Sequence, residues 1–483
     1  MLRCSCSTSA VRARPVVLRR TLSSSSPPPL VPTPPLRSTR PRARLARAPG
    51  FLVGAETPLG GASTQKRWVS DHQTFRTQHG TVKVNLKAKA LVGTAQSRGE
   101  RPYQEDTFAV SSVAVPQSAL RWNVLDDRLG AGWAPQALEG FEGEEPAEEG
   151  EERKRQVAYF GVFDGHGGAQ TSKYLASSLA PTLEQARQKD IPQAVDEYRS
   201  LGGYLKRYRG GPLERFRKAA LEEEERTQGH MRGMGLDEMA ILAFLQADNH
   251  IISSPPDDFG KSGSVGTVAL LHSLDLPHSH PYYSSSLLSL TIAHVGDTSA
   301  ILASTASGRA YRLTQAHHAD SRTEMERLRT TGTGIITDSF GESRWGGTLA
   351  NTRGVGDKQF KPLGVIAEPE ISKRVFKGDD FAFLLLLSDG ITDSLSDQEI
   401  CDLVRLEINK ARELNGKGAI ASPERAAKRV VGFAEDVGAE DNLTCLCIPL
   451  PGWPRLSGLD TTASRREYRL RQTSSQSRRQ KRM

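Results

Sequence analysis

The sequence predicts an α+β fold in which β-sheets are covered by helices, and three observations carry that prediction. Strand-like stretches come in groups, at Thr107–Val115 and Val157–Phe163 and again at Val265–His272, Leu287–Ala303 and Ala310–Leu313, with amphipathic helical stretches between the groups. Strands and helices do not alternate one by one, and no Gly-x-Gly-x-x-Gly loop follows a strand, which argues against a dinucleotide-binding parallel sheet. The longest strongly apolar run, Phe381–Leu387 (FAFLLLL), is strand length and fits a fully buried strand. No run of about twenty apolar residues offers a membrane-spanning helix.

Residues 1–55 hold ten Arg, no Lys and no acid. An Arg- and Ser-rich, acid-free leader has the composition of a mitochondrial transit peptide, which needs a positive face to respond to the membrane potential; a basic disordered segment is the alternative. The Pro-rich stretch PPPLVPTPP within it cannot pack. Residues 56–86 read as a linker, with cleavage expected before about Leu86.

From Lys87 to residue 452 the pattern is that of one globular domain. Two inserts interrupt it. The one near 116–156 contains EGFEGEEPAEEGEER and reads as a solvated acidic loop. The one near 190–235 is charged and Gly-punctuated, with some helix. Helices are predicted over Ser172–Gln188, Leu236–Asn249, Arg322–Thr330, Ser396–Leu414 and Pro423–Glu435, and Leu443–Pro449 closes the domain as a strand. Residues 453–483 read as a basic disordered tail.

The net charge of +8 resides in the ends. Residues 455–483 carry nine Lys and Arg against Asp460 and Glu467, and the body between 55 and 455 is left at −9. A nucleic-acid groove on the folded part is therefore not expected. Cys4 and Cys6 lie in the leader, and Cys401, Cys445 and Cys447 sit in apolar or strand-like settings. An odd set of three supplies neither a disulfide framework nor zinc spacing, which favours a reducing compartment.

Chemistry is announced where the apolar run Phe160–Phe163 gives way to Asp164, Gly165, His166, Gly167 and Gly168. Strand ends display functional groups on a rigid support, and glycines let backbone approach a ligand closely. Other acids occupy similar places: Glu105 and Asp106 after Arg101, Asp297 in HVGD, Asp357 in RGVGD, Asp389 after the FAFLLLL strand, Asp393, and Asp441 beside Asn442. Each alone could be a turn former, Asp297 and Asp393 above all. Together they read as oxygen ligands for a hard cation, Mg²⁺ or Mn²⁺ rather than Zn²⁺.

These segments, in this order from about Leu91 to Pro449, resemble the metal-dependent serine/threonine protein phosphatases of type 2C. The motifs that carry the likeness are R-x-x-x-E-D, DGHGG, Gly-Ser at 263, VGD-x-S, R-x-x-G-D, EPE, SDG-x-x-D and a final DN. The resemblance implies a four-layer α-β-β-α sandwich of two antiparallel sheets flanked by helices. It implies two Mg²⁺ or Mn²⁺ ions, with Asp164 bridging both, Glu105 and the Gly165 carbonyl on the second, and Asp357, Asp389 and Asp441 on the first. Asp106 would orient these ligands, Arg101 would grip the substrate phosphate with its forked guanidinium, and His166 would protonate the leaving seryl or threonyl oxygen. Asn442 would be structural. A phosphoprotein substrate follows, hydrolysed by metal-activated water without a covalent intermediate, by a monomer with no specific nucleic acid partner.

Two departures from the family pattern stand out. Where relatives carry an Asp before His, this chain has Ala316, which cannot ligate and puts a third metal in doubt. The Gly263–Thr267 stretch lacks the usual Thr-Ala pair. Thr337–Asp357 corresponds to the family's mobile flap and resembles the fungal mitochondrial branch more than the cytosolic enzymes, which suggests pyruvate dehydrogenase as one substrate; the leader suggests the mitochondrion, matrix or intermembrane space, as the location. A pseudophosphatase scaffold or a basic-tail binding protein is the alternative reading.

Overall fold

Period-2 alternation explains how the layers assemble. In the Lys154–His166 strand, Val157, Tyr159 and Phe163 face one apolar core while Ala158, Phe160 and Val162 face another. In the Phe381–Leu387 strand, Leu384 and Leu386 join that second core, and Phe383, Leu385 and Leu387 turn to a third. Both strands are apolar throughout because both of their faces are covered. Each fully buried Leu or Phe here stabilises the fold by roughly 1.5–3 kcal/mol.

The computed structural model describes residues 70–77, 79–125, 153–222, 233–275, 280–329, 335–337, 343–347, 349–416 and 420–480. The first sheet runs in the order Glu370–Lys377, Leu287–Val295, Gly263–Ser273, Lys154–His166 and Thr107–Pro116, with the two-residue strand Val355–Gly356 paired to the start of Gly263–Ser273. The second runs Gly93–Ser97, Leu443–Pro449, Phe381–Leu387, Ser299–Ser304 and Ala310–Arg312. Every pairing is antiparallel. Helices Gln170–Gln185, Ile191–Ser200 and Leu236–Ser253 bury apolar faces against the outside of the first sheet. Asp397–Asn415 and Pro423–Asp436 do the same for the second. The result is the α-β-β-α sandwich that the sequence resemblance implied. Among the described residues, no helix is long and apolar enough to cross a membrane.

Four expectations are corrected. The DGH strand does not stop at Phe163 but pairs on through His166, so Asp164 is a strand residue. Residues 70–86 of the expected linker form a hairpin, His72–Thr77 with Gly80–Asn85, that bridges to Ser112 and ends in the buried Leu86. Glu370–Lys377 is a strand that the sequence reading missed; its Lys373, Arg374 and Lys377 are the charges that guard an exposed sheet edge. The tail from 453 is ordered through residue 480: Trp453 and Leu456 sit in the second sheet's outer core, and Ala463–Gln480 is a helix.

That helix is held by partners far away in sequence. Asp402, buried on Asp397–Asn415, accepts hydrogen bonds at Oδ2 from the main-chain N–H of Thr461 (3.0 Å) and Thr462 (3.1 Å) and from the Thr462 hydroxyl (2.9 Å). Arg466 pairs with Asp460 at 2.5 Å, and Arg469 donates to the Ser394 carbonyl. The expected leader at 1–55 lies outside the described residues, as do 126–152 of the acidic insert and 223–232 of the second insert.

Candidate active site

Strand register gathers the predicted residues at one edge of the sandwich. Asp164, Gly165 and His166 pair with Val265, Ser264 and Gly263, whose other side takes Val355 and Gly356. The DGH and VGD motifs, 191 residues apart at His166 and Asp357, thus flank one short stretch. In the second sheet Leu387 pairs with Ser299 and with Cys445, so Asp389, Asp297 and Asp441 follow or precede strand ends on that side.

Gly263 is the hinge of this arrangement. A Cβ there would stand 2.3 Å from His166 Nε2 and 2.4 Å from Asp357 Oδ2, so any larger residue would have to push the His166–Asp357 pair aside. His166 Nε2 donates to both carboxylate oxygens of Asp357, at 3.0 and 3.1 Å. Burial disfavours the imidazolium, but the Asp357 hydrogen bond and charge outweigh it and hold the His166 pKa above its ordinary value. Asp357 has φ 51°, the one non-glycine residue with left-handed backbone among the described residues.

The acids around Asp164 lack cationic partners. Burial, then the charges of Asp389, Asp106 and Asp297, pushes Asp164 well above the carboxylate range. Burial and the Asp297 charge do the same to Asp389. Asp106 is raised to about 6 by burial, against hydrogen bonds from Thr444 and Ser388. Among the described residues, none of the three forms an ion pair with Lys, Arg or His, and Asp106 Oδ1 is buried with no hydrogen bond.

The remaining expected residues are engaged with the protein. Glu105 Oε1 accepts from the Gly168 main-chain N–H at 2.7 Å, and Arg101 Nη2 donates to Asp441 Oδ2 at 2.6 Å. Asn442 is a splint: its Oδ1 accepts from Glu105 N at 2.7 Å, and its Nδ2 donates to the carbonyls of Arg98 (2.9 Å) and Tyr103 (3.0 Å). That pins the loop carrying Arg101 and Glu105. Among the described residues, no three His, Cys, Asp or Glu side chains already converge as a coordination shell.

Asp297 belongs to the site, although its sequence context left a turn equally possible. Its side chain is 12% exposed, its Oδ2 accepts from Asn351 Nδ2 at 2.6 Å, His318 lies at 3.5 Å, and its Oδ1 has no hydrogen bond. Burial would raise its pKa, but His318 and Asn351 hold it below the usual value. Nothing local in the sequence signals Asn351 or His318. Ser321 stands at the start of the Arg322–Leu328 helix, and the Asp320 charge, after the Asp297 hydrogen bond and charge, helps raise the His318 pKa.

A family model for protein phosphatase 2C matches residues 193–443. The chain belongs to the protein phosphatase 2C family. It is 36% identical over 312 residues to protein phosphatase 2C homolog 4 of Schizosaccharomyces pombe, covering 64% of this chain and 75% of that one. It is 27% identical over 301 residues to a mitochondrial protein phosphatase 1K of Xenopus laevis, covering 62% of each. A crystal structure of a serine-threonine phosphatase 2C from Toxoplasma gondii aligns at 16% identity with a TM-score of 0.45, over 74% of this chain and 94% of that one. By its family, this phosphatase 2C is a serine/threonine protein phosphatase. The matched stretch contains Asp357, Asp389 and Asp441, whereas Arg101, Glu105, Asp164 and His166 precede it.

Proposed function

We propose that the edge site is a two-cation centre at which phosphoserine and phosphothreonine are hydrolysed by water, with Asp164, Glu105, the Gly165 carbonyl, Asp357, Asp389 and Asp441 as the residues that would hold two Mg²⁺ or Mn²⁺ ions. The observation that carries it is the cluster of acids Asp106, Asp164 and Asp389, which among the described residues forms no ion pair with Lys, Arg or His, and in which burial and then the charges of Asp389 and Asp106 push Asp164 up. Carboxylates withdrawn from water without cationic partners are costly, and hard oxygen donors in this state fit divalent cations. Such ions supply a hydroxide at neutral pH and offset charge on the phosphoryl oxygens.

The chain's own residues supply the rest. Arg101 is 57% exposed at its side chain and can turn its fork from Asp441 to a phosphate. His166 is 41% exposed while Asp357 beside it is 7% exposed, so the imidazole can reach solvent and a leaving oxygen. Its raised pKa suits a general acid near neutral pH. Asp106, fixed through Oδ2 by the Thr444 hydroxyl at 2.7 Å, keeps Asp164 oriented. Among the described residues the cysteines take no part: Cys401, Cys445 and Cys447 are buried and unpaired, and burial drives their thiol pKa values up.

The acid-free, Arg-rich residues 1–55 and the names of two similar proteins, protein phosphatase 1K and a rice protein phosphatase 2C member 13, both called mitochondrial, support action on mitochondrial phosphoproteins. Pyruvate dehydrogenase is the first substrate to try. The test is hydrolysis of a phosphothreonine peptide by the full chain, which should require added Mn²⁺ or Mg²⁺ and stop with a chelator. Undiminished turnover in chelator, or none with either metal, would overturn the reading.

A further inference from the structure

We infer that Tyr198, Asp248 and Lys361 are positioning residues that set the backbone of Asp357, and that the 191–213 segment, expected from sequence to be an insertion, tunes the metal site through them. The inference rests on the proposed role of Asp357 as a ligand. Its starting point is the left-handed backbone of Asp357, φ 51°, a conformation that costs a non-glycine residue of order 1–3 kcal/mol and persists only where its surroundings over-determine it.

The surroundings are an ion pair sealed from water. Lys361 Nζ lies 2.7 Å from Asp248 Oδ2, and both side chains are 0% exposed. Each partner also holds the strand that leads into Asp357. Asp248 Oδ1 accepts from the Gly356 N–H at 2.7 Å, and Lys361 Nζ donates to the Gly354 carbonyl at 2.9 Å. The Tyr198 hydroxyl donates to Asp248 Oδ2 and accepts from the Ala367 N–H at 3.2 Å. A buried ion pair adds little net stability, because desolvation offsets its attraction, but it is strongly directional when every donor has a partner. Here its directionality is spent on the two peptide groups before the ligand.

The 191–213 segment closes on the same turn at three further points. Gly203 has φ 55° and so little room that a Cβ would stand 2.3 Å from the Pro362 carbonyl oxygen. The Tyr208 hydroxyl donates to Glu368 Oε2 at 2.5 Å. A Cβ on Gly211 would meet the same carboxylate at 2.2 Å. From the other side the Glu368 carbonyl accepts from Arg353 Nη1 at 3.1 Å. Movement of 191–213 therefore has a bonded path of two side chains, Tyr198 and Asp248, to the Gly356 peptide next to Asp357.

The test uses the full chain carrying Tyr198→Phe, which removes one hydroxyl and keeps the ring in the core. Tyr159→Phe is the control, since the buried Tyr159 hydroxyl has no hydrogen bond. Mn²⁺ affinity is read by calorimetry and turnover with a phosphothreonine peptide. Tyr198→Phe should weaken Mn²⁺ binding and lower kcat by about threefold to tenfold each, the worth of one hydrogen bond. KM for the peptide should hold, and Tyr159→Phe should match wild type. Gly203→Ala, which pushes the segment off Pro362, should act in the same direction and is decisive if Tyr198→Phe does not fold. Wild-type Mn²⁺ affinity and kcat in the folded variants would overturn the inference while leaving the phosphatase site intact. A wild type that neither binds Mn²⁺ nor turns over peptide would instead remove the site reading on which the inference depends.

Discussion

Two groups of acids withdrawn from solvent in this molecule are treated in opposite ways. Glu324, fully buried on the Arg322–Leu328 helix, accepts at Oε2 from Arg327 Nη2 (2.6 Å) and the Thr352 hydroxyl (2.7 Å) and at Oε1 from Arg353 Nη2 (2.7 Å). Burial alone would raise its pKa, but the two guanidiniums bring it down to about 2. Asp164 and Asp389 are half-buried and face other acids, and burial, then those charges, pushes their pKa values up. The difference separates architecture from chemistry. A chain that supplies two arginines to one glutamate can satisfy a buried acid, and where it leaves a cluster unsatisfied, the missing charge is expected from outside.

The sharpest way to break the contrast is to remove one acid from each group. Asp164→Asn should cut turnover of a phosphothreonine peptide by at least about a thousandfold, the scale of losing metal-assisted catalysis. It should also raise the thermal midpoint of the metal-free protein, because a repelled acid is gone. A lower midpoint would mean that Asp164 is structural. Glu324→Gln should do the reverse, costing about 3–5 kcal/mol in urea unfolding by stranding two buried guanidiniums. A loss below about 1 kcal/mol would show that Arg327 and Arg353 find solvent.

The same glutamate predicts an acid dependence. Its folded pKa, near 2, lies below the ordinary carboxyl value of 4.5, so its stabilisation is complete above about pH 4.5 and is lost as pH falls through about 2. Unfolding free energies measured across that window should fall more steeply in wild type than in Glu324→Gln; parallel curves would remove Glu324 from the account.

His166→Ala should cost roughly a hundredfold on phosphopeptides and distinctly less on p-nitrophenyl phosphate, whose leaving oxygen needs little protonation. Equal losses on both substrates would contradict its role as an acid. The smallest effect is expected at Ala316. Wild type should saturate with Mn²⁺ in one phase, and Ala316→Asp should add a weaker second one, visible in a metal titration of activity.

Local pattern revealed what local pattern controls. The strands Thr107–Pro116 and Leu443–Pro449 and the helix Pro423–Asp436 were legible because alternation and 3.6-residue periodicity are properties of neighbouring residues. Of the site, the acids at strand ends were legible for the same reason. The Tyr198–Asp248–Lys361 strap was not, since its members are scattered, with 50 residues between Tyr198 and Asp248 and 169 between Tyr198 and Ala367, and each alone looks ordinary. The helix Ala463–Gln480 was misread because its composition, rich in Arg, Ser and Gln, says solvent. Its order comes from Asp402 and Glu399, which no reading of the tail itself could find.

Asp402 also sets a clock on folding. Its partner Thr461 leaves the ribosome 59 residues after it, roughly 3–12 s later at ordinary elongation rates. During that interval the Asp397–Asn415 helix can form, with Arg405 Nη1 and Gln398 Nε2 already on Asp402 Oδ1 at 2.7 and 3.0 Å, while Oδ2 waits for Thr461 and Thr462. The outer layer of the second sheet is therefore completed only once residues 461 and 462 reach Asp402 Oδ2.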